Sequence, residues 1–151
     1  MLFLLLSGCI FDNAFEGTWL FMFDLVESRS GDCAGTDTGG GEWEYEGTSN
    51  ALVEIYATGD GGLAVDMGSV ALVGEGKGGE LTATWQYSAT GDDESYETKV
   101  EMDGTLKANE LTGELSETES EVDGNDTYTC STSRGYRAVR STTTGEEIAG
   151  D

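Results

Sequence analysis

The chain of 151 residues carries 30 acidic against seven basic side chains, which gives a formal net charge of −23, and it contains neither histidine nor proline. Such a charge disfavours binding to nucleic acid, because that binding depends on Lys and Arg displacing counterions from phosphates. The lack of histidine excludes a Ser-His-Asp triad, a histidine zinc site and a haem held by histidine. We expect a solvated, repulsive surface, with the gathering of cations as the alternative.

The chain opens with an apolar run, residues 1–6, that leads into Leu6-Ser7-Gly8-Cys9. The run is too short to span a bilayer, which takes about 20 apolar residues. The tetrad resembles the lipobox of prokaryotic lipoproteins, in which a Leu and two small residues precede the cysteine that is acylated before cleavage. An apolar N-terminal strand with a buried thiol is the alternative.

The lipobox resemblance implies a location and a set of segments. Residues 1–8 would be the remnant of a signal peptide, Cys9 would carry the lipid, and residues 9–14 would form the tether. The protein would then be exported and lipid-anchored to the cell envelope, at a bacterial outer membrane or on the external face of a cytoplasmic membrane. Lipid chains of this kind attach a protein to a membrane without spanning it.

Export also changes the interpretation of the two other cysteines, Cys33 and Cys130. Outside the cytosol two remaining cysteines usually pair, so we expect a Cys33–Cys130 disulfide, with two free thiols as the alternative. Neither residue belongs to a C-x-x-C pattern, which gives no support to redox catalysis or to a zinc site.

From residue 15 onward, apolar and polar side chains alternate with period two, and no segment shows a convincing helical period. We expect turns at 59–62, 91–95, 103–104 and 123–126, and two short arms about Asn109. The predicted strands lie at 15–26, 42–47, 51–58, 62–74 with a break near Gly68, 80–89, 96–102 and 127–140. The sequence thus predicts an all-β fold: an antiparallel meander of about eight strands forming a small up-and-down barrel over 15–140, with a β-sandwich as the alternative. A flexible acidic tail follows at 141–151.

The first strand contains Gly17-Thr18-Trp19, which resembles the Gly-x-Trp that opens the lipocalin and avidin-like (calycin) barrels. The resemblance implies that Trp19 closes one end of the barrel and that a basic side chain of the last strand lies across it, in a cation–π contact. The last predicted strand offers Arg134, Arg137 and Arg140, and the first two are assigned to barrel closure. The alternative is that Trp19 is an ordinary core residue.

Large aromatic side chains either fill a small barrel or line a pocket for one small hydrophobic ligand. Their number favours a filled interior. The candidate lining residues are Phe21, Phe23, Trp43, Tyr45, Trp85 and Tyr87.

We expect no catalytic residues and no enzyme, because carboxylates are so numerous that no pair stands out. We also expect no cofactor and no metal. Calcium is the alternative at the oxygen-rich loops 37–42, 91–95 and 123–126, where Asp and Asn are more simply explained as turn residues.

The expected function is that of a non-enzymatic, membrane-anchored surface or envelope lipoprotein. The alternatives are a carrier with a small hydrophobic ligand inside the barrel and a structural subunit of a surface assembly. The expected partners are the membrane, through the N-terminal lipid, and either a small hydrophobic ligand or an envelope protein.

Overall fold

The computed structural model describes residues 14–24, 28–33, 49–92 and 94–141. These residues form nine strands and no helix. No helix long and apolar enough to cross a membrane occurs in these four ranges. The strands are β1 (Gly17–Phe23), β2 (Ser28–Gly31), β3 (Ser49–Ala57), β4 (Leu63–Asp66), β5 (Ala71–Lys77), β6 (Glu80–Thr90), β7 (Glu94–Lys107), β8 (Glu110–Asp123) and β9 (Asp126–Arg140).

Eight of the strands form a closed antiparallel barrel, which confirms the predicted fold class. The order is β1-β3-β4-β5-β6-β7-β8-β9, and β9 pairs with β1 to close the ring. Apart from β2, each strand lies beside the next one in the chain, as in an up-and-down meander. The short strand β2 pairs with β9 further along, at Gly31↔Cys130.

The last four strands, β6 to β9, extend beyond the closed part of the barrel and continue there as a sheet. β5 pairs with β6 only as far as Val73↔Thr84, whereas β6 stays paired with β7 to Thr90↔Ser95. On the other side, β9 leaves β1 at Phe23↔Tyr136 and then pairs with β2. We call this part, formed by β2 and the distal halves of β6 to β9, the sheet extension.

The barrel interior is filled with side chains. The largest are fully buried, and together with Phe23, Leu63, Ala83, Leu115, Tyr136 and Ala138 they form one cluster. Those fully buried residues are Phe15, Trp19, Phe21, Val53, Ile55, Val65, Leu72, Leu81, Met102 and Leu111. The alternation of the sequence therefore places one face of every barrel strand in a shared core.

The turn predicted at 103–104 is wrong. β7 continues through Asp103 and Gly104 to Lys107, and the chain reverses at Ala108, whose φ is 55°. Gly104 faces inward under Tyr136, where a Cβ atom would collide with the Tyr136 hydroxyl and lie 2.9 Å from Leu111. A glycine is required at this position because the Tyr136 side chain packs directly over the strand. The Asp103-Gly104 pair, which predicts a turn, therefore marks a point of close packing inside a strand. The break at Gly68 is confirmed, with φ 89°.

Candidate functional site

One end of the barrel is closed by Trp19 and Arg140, which are directly paired between β1 and β9. The Trp19 indole donates its Nε1–H to the carbonyl oxygen of Phe15 at 2.8 Å, and the guanidinium carbon of Arg140 lies 4.8 Å from the Trp19 ring centre. Arg140 also donates to the carbonyl oxygen of Ala14. Gly17 has φ 133°, and a Cβ there would lie 3.6 Å from Arg140 Nη1, so glycine leaves room for the guanidinium.

The arginine over Trp19 is therefore Arg140, and the assignment of Arg134 and Arg137 to that contact is corrected. Arg137 is on the outer face of β9, where its Nη2 donates to Glu110 Oε2 at 2.6 Å. Arg134 faces inward but lies over the Phe23 ring, 4.7 Å from its centre. Alternation along a strand puts residues 134 and 140 on one face and residue 137 on the other.

The structure contains the Cys33–Cys130 disulfide that the cysteine count predicts. It joins Cys33, the second residue after β2, to Cys130 in the first half of β9, with the two Cα atoms 4.7 Å apart and 97 positions apart in the chain. The bond therefore holds the start of the sheet extension to one of its longest strands.

The predicted ligand-lining residues separate into two groups, and neither encloses a cavity. The Phe21 ring stacks on Tyr136 with centres 5.0 Å apart, and Phe23 packs beside them in the core. Trp85 and Tyr87 lie beyond the barrel on the sheet extension, with nearly parallel rings whose centres are 6.3 Å apart. The remaining predicted site residues, Cys9, Trp43 and Tyr45, lie outside the described residues.

Two shallow depressions of the described surface lie at the tip of the sheet extension. One of about 250 Å³ is bordered by Ala89, Tyr96 and Glu121. The other, of about 290 Å³, is bordered by Asp92, Val122 and Gly124. Both are open hollows beside the turns that join β6 to β7 and β8 to β9.

The sheet extension has a face that continues the barrel lining, and we call it the acidic–aromatic face. Paired residues of antiparallel strands point to the same side, so the register defines its rows. One row runs Trp85-Val100-Glu117-Thr132, the next Tyr87-Thr98-Glu119-Cys130, the third Ala89-Tyr96-Glu121-Tyr128, and the last Glu94-Asp123-Asp126. Arg29 of β2, opposite Thr132, completes the first row.

Carboxylates and aromatic rings are in direct contact on this face. Tyr96 donates its hydroxyl to Glu119 Oε1 at 2.9 Å. Partial burial raises the pKa of Glu117, the like charge of Glu119 adds to the rise, and the positive charge of Arg134 opposes it. Partial burial is also the largest reason that the pKa of the Tyr96 hydroxyl is raised. Glu117 and Glu119 thus repel each other on this face.

The opposite face of the sheet extension is lined by hydroxyl groups that bond to one another across strands. The oxygen pairs are Ser28–Ser133 at 2.8 Å, Thr118–Ser131 at 3.1 Å and Ser120–Thr129 at 3.2 Å. Hydroxyl groups therefore predominate on this face, whereas carboxylates and aromatic rings predominate on the other.

Sequence reasoning did not single out the carboxylates of β8. The signal was present in "ETESEV", residues 117–122, where Glu recurs at every second position. The segment lacks the apolar stripe of an amphipathic helix, and in a strand the same spacing places all three carboxylates on one face.

No group of three or more Asp, Glu or Cys side chains arranged to hold a metal ion occurs within the described ranges. Of the three candidate calcium loops, residues 37–42 lie outside the described ranges, as does Asp93 of the loop 91–95.

No protein-family model matches the chain, and comparison with curated proteins and with solved structures finds no similar protein. The fold is nevertheless of a definite class, a closed eight-stranded antiparallel barrel compatible with the lipocalin-like architecture.

Proposed function

We propose that the protein is a non-enzymatic lipoprotein of the cell envelope, attached through Cys9, whose barrel holds the sheet extension outside the cytoplasm. The observation that carries the proposal is the Cys33–Cys130 disulfide. Such bonds persist in oxidising compartments and are rare in the cytosol, so the bond supports export independently of the Leu6-Ser7-Gly8-Cys9 motif.

The filled barrel favours a scaffold over a carrier. Trp19 at the closed end, and Phe21 and Met102 in the core, are at most 1% exposed. A ligand site of ordinary size needs about 300 Å³ or more of enclosed apolar space. The exposed surface of the sheet extension is the better place for binding.

The proposal is tested by expressing the full chain in a bacterium that processes lipoproteins and analysing the membrane fraction by mass spectrometry. The expected product begins at Cys9, carries acyl chains there and loses two hydrogens relative to its reduced form. Cys9→Ser should abolish acylation and release the protein from membranes. The matched control, Cys130→Ser, should leave acylation intact. A membrane-bound product that begins with unmodified Met1 would contradict the proposal.

A second candidate, a subunit of a surface assembly, is favoured by the edge of β6. From Trp85 to Thr90 this strand has no partner on one side among the described residues, and such an edge can pair with a strand of another chain. Cross-linking of the same membranes before solubilisation separates the candidates, because an assembly subunit gives a ladder of covalent oligomers and an isolated lipoprotein gives a monomer.

A further inference from the structure

In the part of the chain that the structure describes, the acidic–aromatic face exposes large aromatic rings. Tyr87 is 51% exposed, Tyr128 47% and Tyr96 37%. Single exposed aromatic residues are common, but three on one side of one sheet, with Trp85 beside them, form a patch of the kind found at binding sites.

The acidic–aromatic face is more strongly negative than the opposite side of the same strands. Its carboxylates are Glu94, Glu117, Glu119, Glu121, Asp123 and Asp126. Among the described residues, Arg29 and Arg134 are the basic side chains of the same face, so six negative charges meet two positive ones. The opposite face of the same strands carries Glu97, Glu101 and Lys99, and otherwise mostly hydroxyls. The acidity is therefore concentrated on the side that holds the rings.

A cation satisfies both kinds of group at once. The face of a Trp or Tyr ring attracts a Lys ammonium or an Arg guanidinium, and a carboxylate binds either by a charge-assisted hydrogen bond. A bound cation between Glu117 and Glu119 would also relieve their mutual repulsion. The hollow between Tyr96 and Glu121, about 250 Å³, offers space for the end of one long side chain.

The size of the face indicates a polypeptide as the partner. With strands about 4.8 Å apart and residues about 3.3 Å apart, the four rows cover about 20 Å along the strands and about 15 Å across β6 to β9. Charges spread over that area suit several side chains of one chain. A second copy is opposed by charge, because the whole protein has seven basic residues against 30 acidic ones.

We propose that the acidic–aromatic face binds a Lys- and Arg-rich segment of another protein. The segment lies across β6 to β9, with its cationic side chains against the tyrosine rings and between the carboxylates of β8. This inference rests on the geometry of the sheet extension and not on the lipid anchor, so its test is independent of the test at Cys9.

The test uses the full chain, with its disulfide intact, and a fluorescently labelled octalysine peptide as the probe. Binding is followed by fluorescence anisotropy at 50 mM salt, with a Ser-Gly peptide of equal length as the negative control. The variant Glu117→Gln/Glu119→Gln/Glu121→Gln removes three charges from the face and should weaken binding by tenfold or more. The matched control, Glu97→Gln/Glu101→Gln/Glu114→Gln, removes two charges from the opposite face and a third from the outer side of β8 in the barrel, and it should change binding by less than twofold.

A second pair of variants tests the rings. Tyr87→Ala/Tyr128→Ala should weaken octalysine binding several-fold, whereas Leu52→Ala/Val73→Ala, which truncates two exposed side chains outside the face, should leave it unchanged. Thermal unfolding of every variant checks that the fold is kept. Equal weakening by the two Glu-to-Gln triples would show attraction to the overall charge alone and would overturn the proposal. Absence of octalysine binding to the intact protein would overturn it as well.

Discussion

At the scale of the residue, the closed end of the barrel shows how a short motif acquires a structural role. Trp19 is fully buried, and its indole N–H has a partner in the Phe15 carbonyl. Arg140 lies over the indole ring, and Gly17 is the residue that leaves it room. The sequence predicts the ring and a basic partner from β9. It does not determine which arginine, because that depends on the side of β9 that faces the barrel.

Arg137 and Arg140, the two arginines nearest the C-terminal end of β9, are expected to differ in their effect on stability. Arg140→Ala removes the cation–π contact and the bond to the Ala14 carbonyl, and should lower the free energy of unfolding by about 1–3 kcal/mol. Arg137→Ala removes the same charge but only an exposed ion pair with Glu110, and should lower the free energy of unfolding much less. Urea unfolding followed by tryptophan fluorescence measures both. Equal losses would contradict the structural role given to Arg140.

At the scale of the element, the alternating pattern predicts nearly every strand, but not how far the strands extend. β7 and β8 pair over 14 residues each, past the point where Asp103-Gly104 suggests a turn. The sheet extension could not be foreseen from the pattern, because alternation reports that a strand has two different faces and not what covers them. On the sheet extension the carboxylates of the acidic–aromatic face alternate in the sequence in the same way as the solvent-facing polar residues of any strand.

The element most dependent on the disulfide is β2. Its four residues are exposed, and β9 is its only partner among the described strands. Reduction of Cys33–Cys130 should lower the free energy of unfolding by at most about 4–5 kcal/mol, the value for a loop of about 100 residues in the chain-entropy model.

Guanidinium unfolding of the Cys9→Ser protein, with and without reductant, measures this difference, because Cys33 and Cys130 are then the only thiols. The double variant Cys33→Ser/Cys130→Ser on the same background is the control and should not respond to reductant. An oxidised protein that unfolds at the same denaturant concentration as the reduced one would contradict a stabilising role.

At the scale of the whole molecule, the net charge of −23 opposes compaction. The filled barrel core provides the stabilisation that overcomes this repulsion, and the ion pairs Lys99–Glu101 and Arg137–Glu110 are both at the surface. Composition alone predicts this repulsion. It does not predict the uneven distribution of the carboxylates, because that follows from the pairing of β7, β8 and β9.

Salt should therefore stabilise the protein. Raising NaCl from 10 mM to 1 M shortens the screening length from about 30 Å to about 3 Å, and we expect the midpoint of thermal unfolding to rise by about 5–10 °C. Differential scanning calorimetry across this range measures the rise. Screening predicts that most of it occurs below about 0.2 M, so a rise that is linear up to 1 M would contradict the explanation.

The pairing of β1 with β9 sets the order in which the chain can assemble. Around the rest of the ring, each barrel strand pairs with the next barrel strand in the chain. The pairing of β1 with β9 differs, because it joins Trp19 to Arg140, near the two ends of the described chain. A chain that emerges from its N terminus during synthesis cannot complete the cylinder until residue 140 is available. Until then the hydrogen-bonding groups of β1 on that side remain available to solvent.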